Sequence, residues 1–349
     1  MIISELKVGN FRCHKDFKIN FSPQKTLIYG LNGSGKTSLI EAVYLLLRGK
    51  SFRGYDNDIL KSKCDWFKVE LQIKDTFSNQ VESREIRFRN KPTKTKQFRI
   101  NQKNYQRIPK NKKIPVVLFQ PDDLNLINGS PSRRRQFFDE LISQLKPEQN
   151  SYLSRYERAL RQRNNLIKNN LNITLEDLFS WNIILSNYGA KIIQNRLEII
   201  NLIQQEINQI YQKITNVKDE ITIKYSQRYS NLDQIQPILF EALNKKENLL
   251  FGTLVGPHRD DFIIKFNQNK ANQHTSRGEN RSIILSLKII EANLIKERYN
   301  YSPIILLDDV LSELDQKRRD CLLSFMSKNQ IIITSTEKVN IKQVKVVKI

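Results

Sequence analysis

The sequence predicts an α/β fold with a mixed sheet and an inserted helical subdomain. Two continuous apolar runs, residues 26–29 and 303–310, predict buried strands. Between about residues 131 and 215, apolar side chains recur every three, four or seven positions instead, as on one face of a helix. We therefore expect a sheet-containing lobe of residues 1–130 and 250–349, and a mainly helical lobe of residues 131–249.

Composition limits the class of protein. The 349 residues allow one large or two ordinary domains, and the apolar fraction of 39% is enough for a core. The formal net charge of +22 favours a polyanionic partner, with nucleic acid the default. Charge alone does not separate DNA, RNA, an acidic membrane surface or a merely basic soluble protein.

The cysteines and the N-terminal residues predict a cytoplasmic protein. Cys13, Cys64 and Cys321 are far apart and lack metal-ligand spacing, which fits a reducing compartment. The first residues have no signal-peptide pattern, and no stretch approaches the roughly twenty apolar residues of a membrane span.

The other strands and helices follow from local patterns. Residues 2–8, 16–22, 67–73, 84–100, 115–119, 220–226, 262–266 and 331–333 are expected to be strands. Residues 174–214 would span about 60 Å as one helix, too short for a long coiled-coil arm. Many cations lie between residues 91 and 113, and two interpretations of them stay open: a solvated hairpin or a surface for the DNA backbone.

The first chemical motif lies between strand 26–29 and a helix that carries Leu39, Val43 and Leu46. Its residues are Gly30, Leu31, Asn32, Gly33, Ser34, Gly35, Lys36 and Thr37, the full phosphate-loop pattern. The glycines let backbone N–H groups converge on an anion, and the helix N-terminus adds its dipole. Lys36 would reach the outer phosphates, and the Thr37 hydroxyl would bind Mg²⁺. The sequence therefore predicts a nucleoside triphosphate site.

A second motif ends the strand at residues 303–310. Asp308 is placed to hold Mg²⁺, and the adjacent Asp309 to polarise an attacking water as general base. Two neighbouring carboxylates in a poorly solvated site need a cation or a proton, and Mg²⁺ meets that need.

Two further candidates have competing interpretations. Ser276, Gly278 and Arg281 precede a helix and would form a second anion site, but a serine N-cap gives the same pattern. Arg12 would contact a phosphate, or lie on the surface as an ordinary arginine.

Together these motifs resemble an ABC-type P-loop ATPase head. The longer strings resemble the RecF recombination-mediator family over essentially the whole chain: Gly129-Ser-Pro-Ser-Arg-Arg-Arg-Gln-Phe-Phe-Asp139, Arg161-Gln-Arg-Asn164, Gly256-Pro-His-Arg-Asp-Asp261 and Leu307-Asp-Asp-Val-Leu-Ser-Glu-Leu-Asp315. The family usually carries Gln-Gln where this chain has Glu279-Asn280. ABC transporters often carry His near the position of Thr334 or Ser335.

The resemblance implies a head like those of SMC proteins, without their long arms. ATP and Mg²⁺ would join two subunits head to tail, with Ser276, Gly278 and Arg281 reaching the partner's γ-phosphate. Gln120 would act with Asp309 in a slow, DNA-stimulated hydrolysis that works as a switch.

The resemblance also implies a biological role. The expected partners are double-stranded and gapped DNA, a second copy of the chain, RecR and RecO. The expected role is recombinational repair and replication-fork maintenance, with recombinase loading and support of the SOS response.

Other functions were weighed against this one. An ABC-type ATPase subunit of a transporter would need a membrane-docking surface, and a nuclease-associated head would need long heptads between residues 140 and 260. A metabolic P-loop kinase would lack the 276–281 motif. His258 is expected to be a structural corner rather than a catalytic base or a metal ligand, and Trp66 and Trp181 are expected to pack in the core or in a subdomain.

Overall fold

The structure is a computed structural model that describes residues 1–76, 78–170, 172–227, 232–245 and 252–349. The chain forms two compact units, one made of residues 1–124 and 288–349 and the other of residues 125–287. Along the chain, the boundaries between these units lie at 124/125 and 287/288. The lobes expected from sequence, residues 1–130 with 250–349 and residues 131–249, stay a prediction.

The first unit contains a five-stranded sheet in which every neighbouring pair is parallel. Its strands are β3 Lys25–Tyr29, β8 Val116–Phe119, β12 Ile304–Asp308, β13 Ile331–Ser335 and β14 Val344–Lys348. The strand order is β14-β3-β13-β12-β8. Strands β12 and β13 are buried along their whole length, which explains their largely apolar sequences.

The same unit contains a six-stranded antiparallel sheet. Its strands are β1 Ile2–Phe11, β2 His14–Asn20, β4 Trp66–Lys74, β5 Val81–Arg89, β6 Thr95–Ile100 and β7 Lys103–Tyr105, in the order β2-β1-β4-β5-β6-β7. Buried and more exposed side chains alternate along β4, so one face of that strand packs in the core.

Helix α1, Lys36–Arg48, packs against strands of both sheets. It is buried from Ser38 to Arg48 because apolar side chains surround its axis rather than lining one stripe. Two shorter helices, α2 Asp56–Ile59 and α9 Gln316–Phe325, also belong to this unit.

The second unit is mainly helical. Its longest helix, α5 Leu175–Thr215, has 41 residues; it begins at a capping box between Thr174 and Asp177 and ends at Asn216 in the left-handed conformation. The other helices are α3 Pro131–Leu145, α4 Gln149–Asn169, α6 Ile235–Leu243 and α7 Ala271–His274. A small antiparallel sheet contains β9 Ile221–Tyr225, β10 Phe262–Phe266 and β11 Asn269–Lys270. Helix α8, Arg277–Tyr299, crosses the boundary at 287/288.

These elements confirm the predicted fold class, with parallel and antiparallel sheets and inserted helices. The unbroken helix expected at 174–214 is present as α5. The run expected as one strand at 84–100 is two strands, because the chain turns between Arg89 and Thr95. The sequence did not predict β14, which is mostly exposed and therefore lacks a buried-strand pattern.

Candidate nucleotide site

The predicted phosphate loop lies at the carboxyl edge of the parallel sheet. Residue pairing places Ser335 beside Tyr29, Thr334 beside Asp308 and Leu307 beside Phe119, so β3, β13, β12 and β8 end at the same edge. In open α/β sheets, ligands bind outside this edge.

Glycines shape the loop where other residues would not fit. Gly33 and Gly35 have φ angles of 82° and 97°, in the region that favours glycine. A Cβ on Gly35 would lie 2.3 Å from His14 Nε2 and 2.4 Å from Cys13 Sγ, so the start of β2 packs directly on the loop. Around Gly33 there is open space, with no atom within 4 Å of an added Cβ. The loop is thus packed on one side and accessible on the other.

Lys36 is buried at the start of α1. Its Nζ donates hydrogen bonds of 2.8 Å to the carbonyl oxygens of Gly30 and Leu31. The ammonium group therefore lies within the curve of the loop, beside the space that an anion would enter.

Asp308 is the carboxylate best placed to hold a divalent cation. Its Oδ1 accepts hydrogen bonds from Thr37 Oγ1 at 2.9 Å and from Thr334 Oγ1 at 2.7 Å. Burial raises the pKa of Asp308, while these two hydroxyls oppose the shift. A hydroxyl and a carboxylate in contact are oxygen ligands of the type that Mg²⁺ prefers. Thr334, at the end of the neighbouring strand, thus orients Asp308.

Asp309 follows in an unusual backbone conformation. Its φ is 53°, and its N–H donates to the carbonyl oxygen and the hydroxyl of Thr334. Its Oδ1 is buried and has no hydrogen-bond partner among the described residues. A buried carboxylate oxygen without a donor fits an incoming water or cation.

The phosphate loop and Asp309 line one cavity of about 440 Å³, and Asp308 contacts it through Thr37. Arg12 and Arg53 line it together with Asn32, Gly33, Lys36, Thr37 and Asp309. The guanidinium of Arg12 makes a two-point contact with the fully buried Glu41, at 2.8 and 2.6 Å, and Arg53 lies 4.0 Å from the same carboxylate. Sequence reasoning proposed Arg12 but missed Glu41 and assigned Arg53 no role.

Gln120 directly follows β8 and does not line this cavity. Its N–H donates to Asp123 Oδ2 at 2.8 Å. The same carboxylate lies 3.5 Å from Lys288 Nζ, and Lys288 also donates to the carbonyl oxygen of Leu118 at 2.6 Å. The buried Lys288 thus anchors the segment that carries Gln120.

Ser276, Gly278 and Arg281 belong to the second unit, at the start of α8. Ser276 and Glu279 form a reciprocal cap, in which Glu279 Oε2 accepts the Ser276 N–H at 2.7 Å and Ser276 Oγ accepts the Glu279 N–H at 3.3 Å. The N-cap interpretation of this motif therefore has direct geometric support. Its role at a partner's nucleotide stays a prediction.

The cavity fits a magnesium-bound triphosphate. A glycine loop open on one side, a buried ammonium, a hydroxyl–carboxylate pair and an unpartnered carboxylate oxygen are the donors and acceptors that such a ligand requires. Lys36 would hold the outer phosphates, and Thr37 with Asp308 would hold the cation.

Comparison with known proteins identifies the family. The model of the RecF/RecN/SMC N terminal domain matches residues 2–349. The protein named DNA replication and repair protein RecF of Natranaerobius thermophilus is 36% identical, over 96% of this chain and 91% of its own length. Its namesake in Desulfitobacterium hafniense (strain DSM 10664 / DCB-2) is 34% identical, over 98% and 95%. The chain belongs to the RecF family.

Solved structures agree with this assignment. One described as the recombination mediator protein RecF-ATPrS in the RecFOR pathway has a TM-score of 0.89 at 30% identity, over 100% of this chain and 96% of its own. Another, described as RecF-ATP in that pathway, has a TM-score of 0.86 at 29% identity, covering 97% and 93%. An SMC head bound to the C-winged helix domain of ScpA has a TM-score of 0.54 at 15% identity over 96% and 90%, which supports the fold alone. The predicted SMC-like ATPase head is thereby confirmed.

Other sequence predictions have mixed outcomes. His258 is a structural corner as expected: its Nδ1 lies 2.7 Å from the Tyr156 hydroxyl, and its Nε2 lies 3.1 Å from the carbonyl oxygen of Thr253. Trp181 packs against a buried cluster of the second unit, but Trp66 is 49% exposed, so its predicted core role is wrong.

Among the described residues, no helix combines the length and apolar character needed to cross a bilayer.

Proposed function

We propose that this chain is an ATP-dependent DNA-binding protein of recombinational repair and replication-fork maintenance. Bound ATP would join two copies head to tail, and the dimer would clamp double-stranded DNA near gaps and help load recombinase with RecO and RecR, supporting the SOS response. Membership of the RecF family and similarity to ATP-bound members support this proposal.

The observation that carries the ATP-dependent part is the arrangement at the ends of β3 and β12. Lys36 lies within the loop, Thr37 contacts Asp308, and the adjacent Asp309 has a buried oxygen that no described residue contacts by a hydrogen bond. In this arrangement, Lys36 binds the outer phosphates and Asp309 accepts a proton from the attacking water. Mg²⁺, held by Thr37 and Asp308, would neutralise charge on the phosphate oxygens.

Slow hydrolysis, stimulated by DNA, would make ATP a switch rather than a fuel. Ser276, Gly278 and Arg281 would then approach the γ-phosphate bound by the second copy, through the N-terminus of α8. Gln120, at the end of β8, would act with Asp309 in hydrolysing the ATP bound by its own copy. A transporter or nuclease-complex subunit is the alternative, and no observation specific to this chain favours it over the RecF role.

The Asp309→Asn variant tests this proposal. The amide preserves the shape of the side chain but cannot take up a proton, so we expect ATP binding to persist while turnover falls by about 100-fold or more. With ATP, light scattering should then report a stable dimer, and a mobility shift should report bound duplex DNA.

The matched control is Lys36→Ala, which removes the buried cation and should stay monomeric with ATP. A monomeric Asp309→Asn protein at saturating ATP would contradict the dimer. If the protein does not bind duplex DNA at low salt, either with or without ATP, the DNA-binding role is contradicted.

A further inference from the structure

A second cavity, of about 710 Å³, lies on the antiparallel sheet. Between β4 and β5, Trp66 pairs with Arg89 and Lys68 pairs with Arg87. Between β5 and β6, Arg89 pairs with Thr95 and Arg87 pairs with Gln97. The alternating neighbours of these residues, such as Phe67 and Phe88, are buried in the core. We call this exposed surface the Trp66 face. It consists of Trp66, Lys68, Arg87, Arg89, Thr95 and Gln97.

Trp66 is an unusual residue to leave in solvent. Its indole lies against β1 at Gly9, where an added Cβ would be 3.6 Å from the ring. With 49% of Trp66 exposed, the remaining ring surface is open to a ligand. An aromatic ring with one open face beside basic side chains can serve as a platform on which an unpaired base stacks.

Some, but not all, of the cations around the indole are paired with carboxylates. Glu85 lies 3.1 Å from Lys68 and 2.7 Å from Arg87, and Glu70 lies 2.7 Å from Lys68. Arg89 has no ion pair among the described residues, and no acidic side chain from that part of the chain lines the cavity. Lys68, Arg87 and Arg89 therefore exceed Glu70 and Glu85 by one positive charge around the indole, and Arg89 carries that excess.

We propose that the Trp66 face binds single-stranded nucleic acid. An unpaired base would stack on the indole, Arg87 and Arg89 would bind the backbone phosphates, and Gln97 would offer its amide to a base edge. Aromatic platforms beside basic residues bind single strands in this way because every base has a π-face. A duplex keeps its bases stacked inside and cannot use the indole.

This proposal extends the DNA-binding function proposed above to the unpaired strand of a gap, and it rests on that function for its context. The contacts themselves need neither ATP nor a second copy, since they belong to one sheet of one subunit. Binding at this face can therefore be measured separately from the ATP-dependent clamp.

The two tryptophans of the chain allow a direct test. In the full chain carrying Trp181→Phe, Trp66 is the sole tryptophan. We expect (dT)12 to quench its fluorescence saturably at low salt without ATP, because a stacked base contacts the ring. Trp66→Ala in the otherwise unchanged chain should weaken (dT)12 binding at least fivefold, measured by anisotropy of a labelled oligonucleotide.

Matched charge variants complete the experiment. Arg87→Gln with Arg89→Gln should weaken (dT)12 binding about tenfold, whereas Lys328→Gln with Lys345→Gln removes the same charge elsewhere and should change it much less. Circular dichroism checks that each variant is folded.

Several outcomes would overturn the proposal: no quenching by (dT)12, equal losses in the two charge variants, equal quenching by a 12-base-pair duplex, or stronger quenching by an oligo-glutamate peptide. If (dT)12 binds as expected but duplex DNA with ATP does not, the proposed clamp is contradicted and the proposal for the Trp66 face is supported. If duplex DNA binds with ATP but (dT)12 does not quench Trp66, the clamp is supported and the proposal for the Trp66 face is contradicted.

Discussion

Glu41 is fully buried on α1 and makes a two-point contact with Arg12 in the nucleotide cavity. It also accepts a hydrogen bond of 2.5 Å from Ser51 and lies near Arg53. One carboxylate thus positions two cationic side chains that face the same space. Its influence on nucleotide binding would be indirect, through those arginines.

We expect Glu41→Gln to lower both stability and ATP affinity. Removing one member of a largely buried ion pair leaves Arg12 without a counter-charge, which costs about 3 kcal/mol. Urea denaturation and nucleotide titration measure the two effects. Glu198→Gln breaks an exposed ion pair with Lys146 and should cost less than about 1 kcal/mol. Similar urea midpoints for the two variants would contradict this role for Glu41.

His258 makes stability depend on pH. Burial, aided by nearby arginines, lowers the pKa of His258 to about 4 in the folded chain, from its ordinary value of 6.5. As the pH falls below about 6.5, the His258 imidazole binds a proton in the unfolded chain but stays neutral in the folded chain. The contribution of His258 to stability is therefore complete above that pH and is lost as the pH falls toward about 4.

We expect the melting temperature of His258→Gln to fall less than that of the unchanged protein between pH 7.5 and pH 4.5. The variant starts from a lower stability, because it loses the contact with Tyr156. Differential scanning calorimetry across this range measures the slope, and His274→Gln, at an exposed position, serves as control. Parallel slopes for His258→Gln and the unchanged protein would exclude His258 as the titrating group.

At the residue scale, motifs contiguous in the chain were predictable and contacts between distant segments were not. Lys36 and Thr37 begin the helix after β3, and Asp308 ends β12 with Asp309 next to it, so sequence alone predicted that they belong to one site. Thr334 orients Asp308 from a neighbouring strand, and only the sheet order reveals that contact.

Among the elements, α8 connects two regions with different expected roles. It begins at the Ser276 cap and, further along, presents the buried Lys288 to Leu118, Asp123 and Glu291. Burial works against the charge of Lys288, yet the two carboxylates raise its pKa overall. The ammonium therefore stays charged and fixes the end of β8.

We expect Lys288→Met to reduce ATP turnover about tenfold with little change in ATP affinity, because a displaced Gln120 segment affects the reaction more than binding. Steady-state kinetics that separate kcat from KM measure this difference. Lys296→Met changes an exposed residue of the same helix and should behave as the unchanged protein. A rise in KM with constant kcat would assign Lys288 to substrate binding instead.

Element prediction from sequence worked where burial was uniform and failed where it was partial. The buried β12 and the strongly periodic α5 were predicted close to their observed bounds. The prediction for Trp66 was wrong because the local sequence around an aromatic residue at the start of a strand is the same whether that face of the strand is buried or exposed.

Across the whole molecule, the net charge of +22 is expected to be the main source of attraction to polyanions. Cations that neutralise phosphates release counterions from DNA, so association should weaken steeply as salt rises.

We expect duplex affinity in the presence of ATP to fall by about 1,000-fold or more between 50 and 200 mM salt, as for a protein with at least six phosphate contacts. Fluorescence anisotropy over a salt series measures the slope. ATP affinity of the DNA-free protein, measured over the same series, should vary far less because a nucleotide has only a few phosphates and releases few counterions. A flat response of DNA binding would point away from backbone contacts.

The left-handed backbone at Asp309 limits which side chains that position accepts. Asparagine and glycine tolerate such a conformation, whereas β-branched and bulky residues strain it. A mutational scan scored only by repair in cells would therefore show intolerance for two unrelated reasons, one chemical and one conformational. Comparing asparagine with valine at this position, with protein abundance measured alongside, would separate loss of the reaction from loss of the protein.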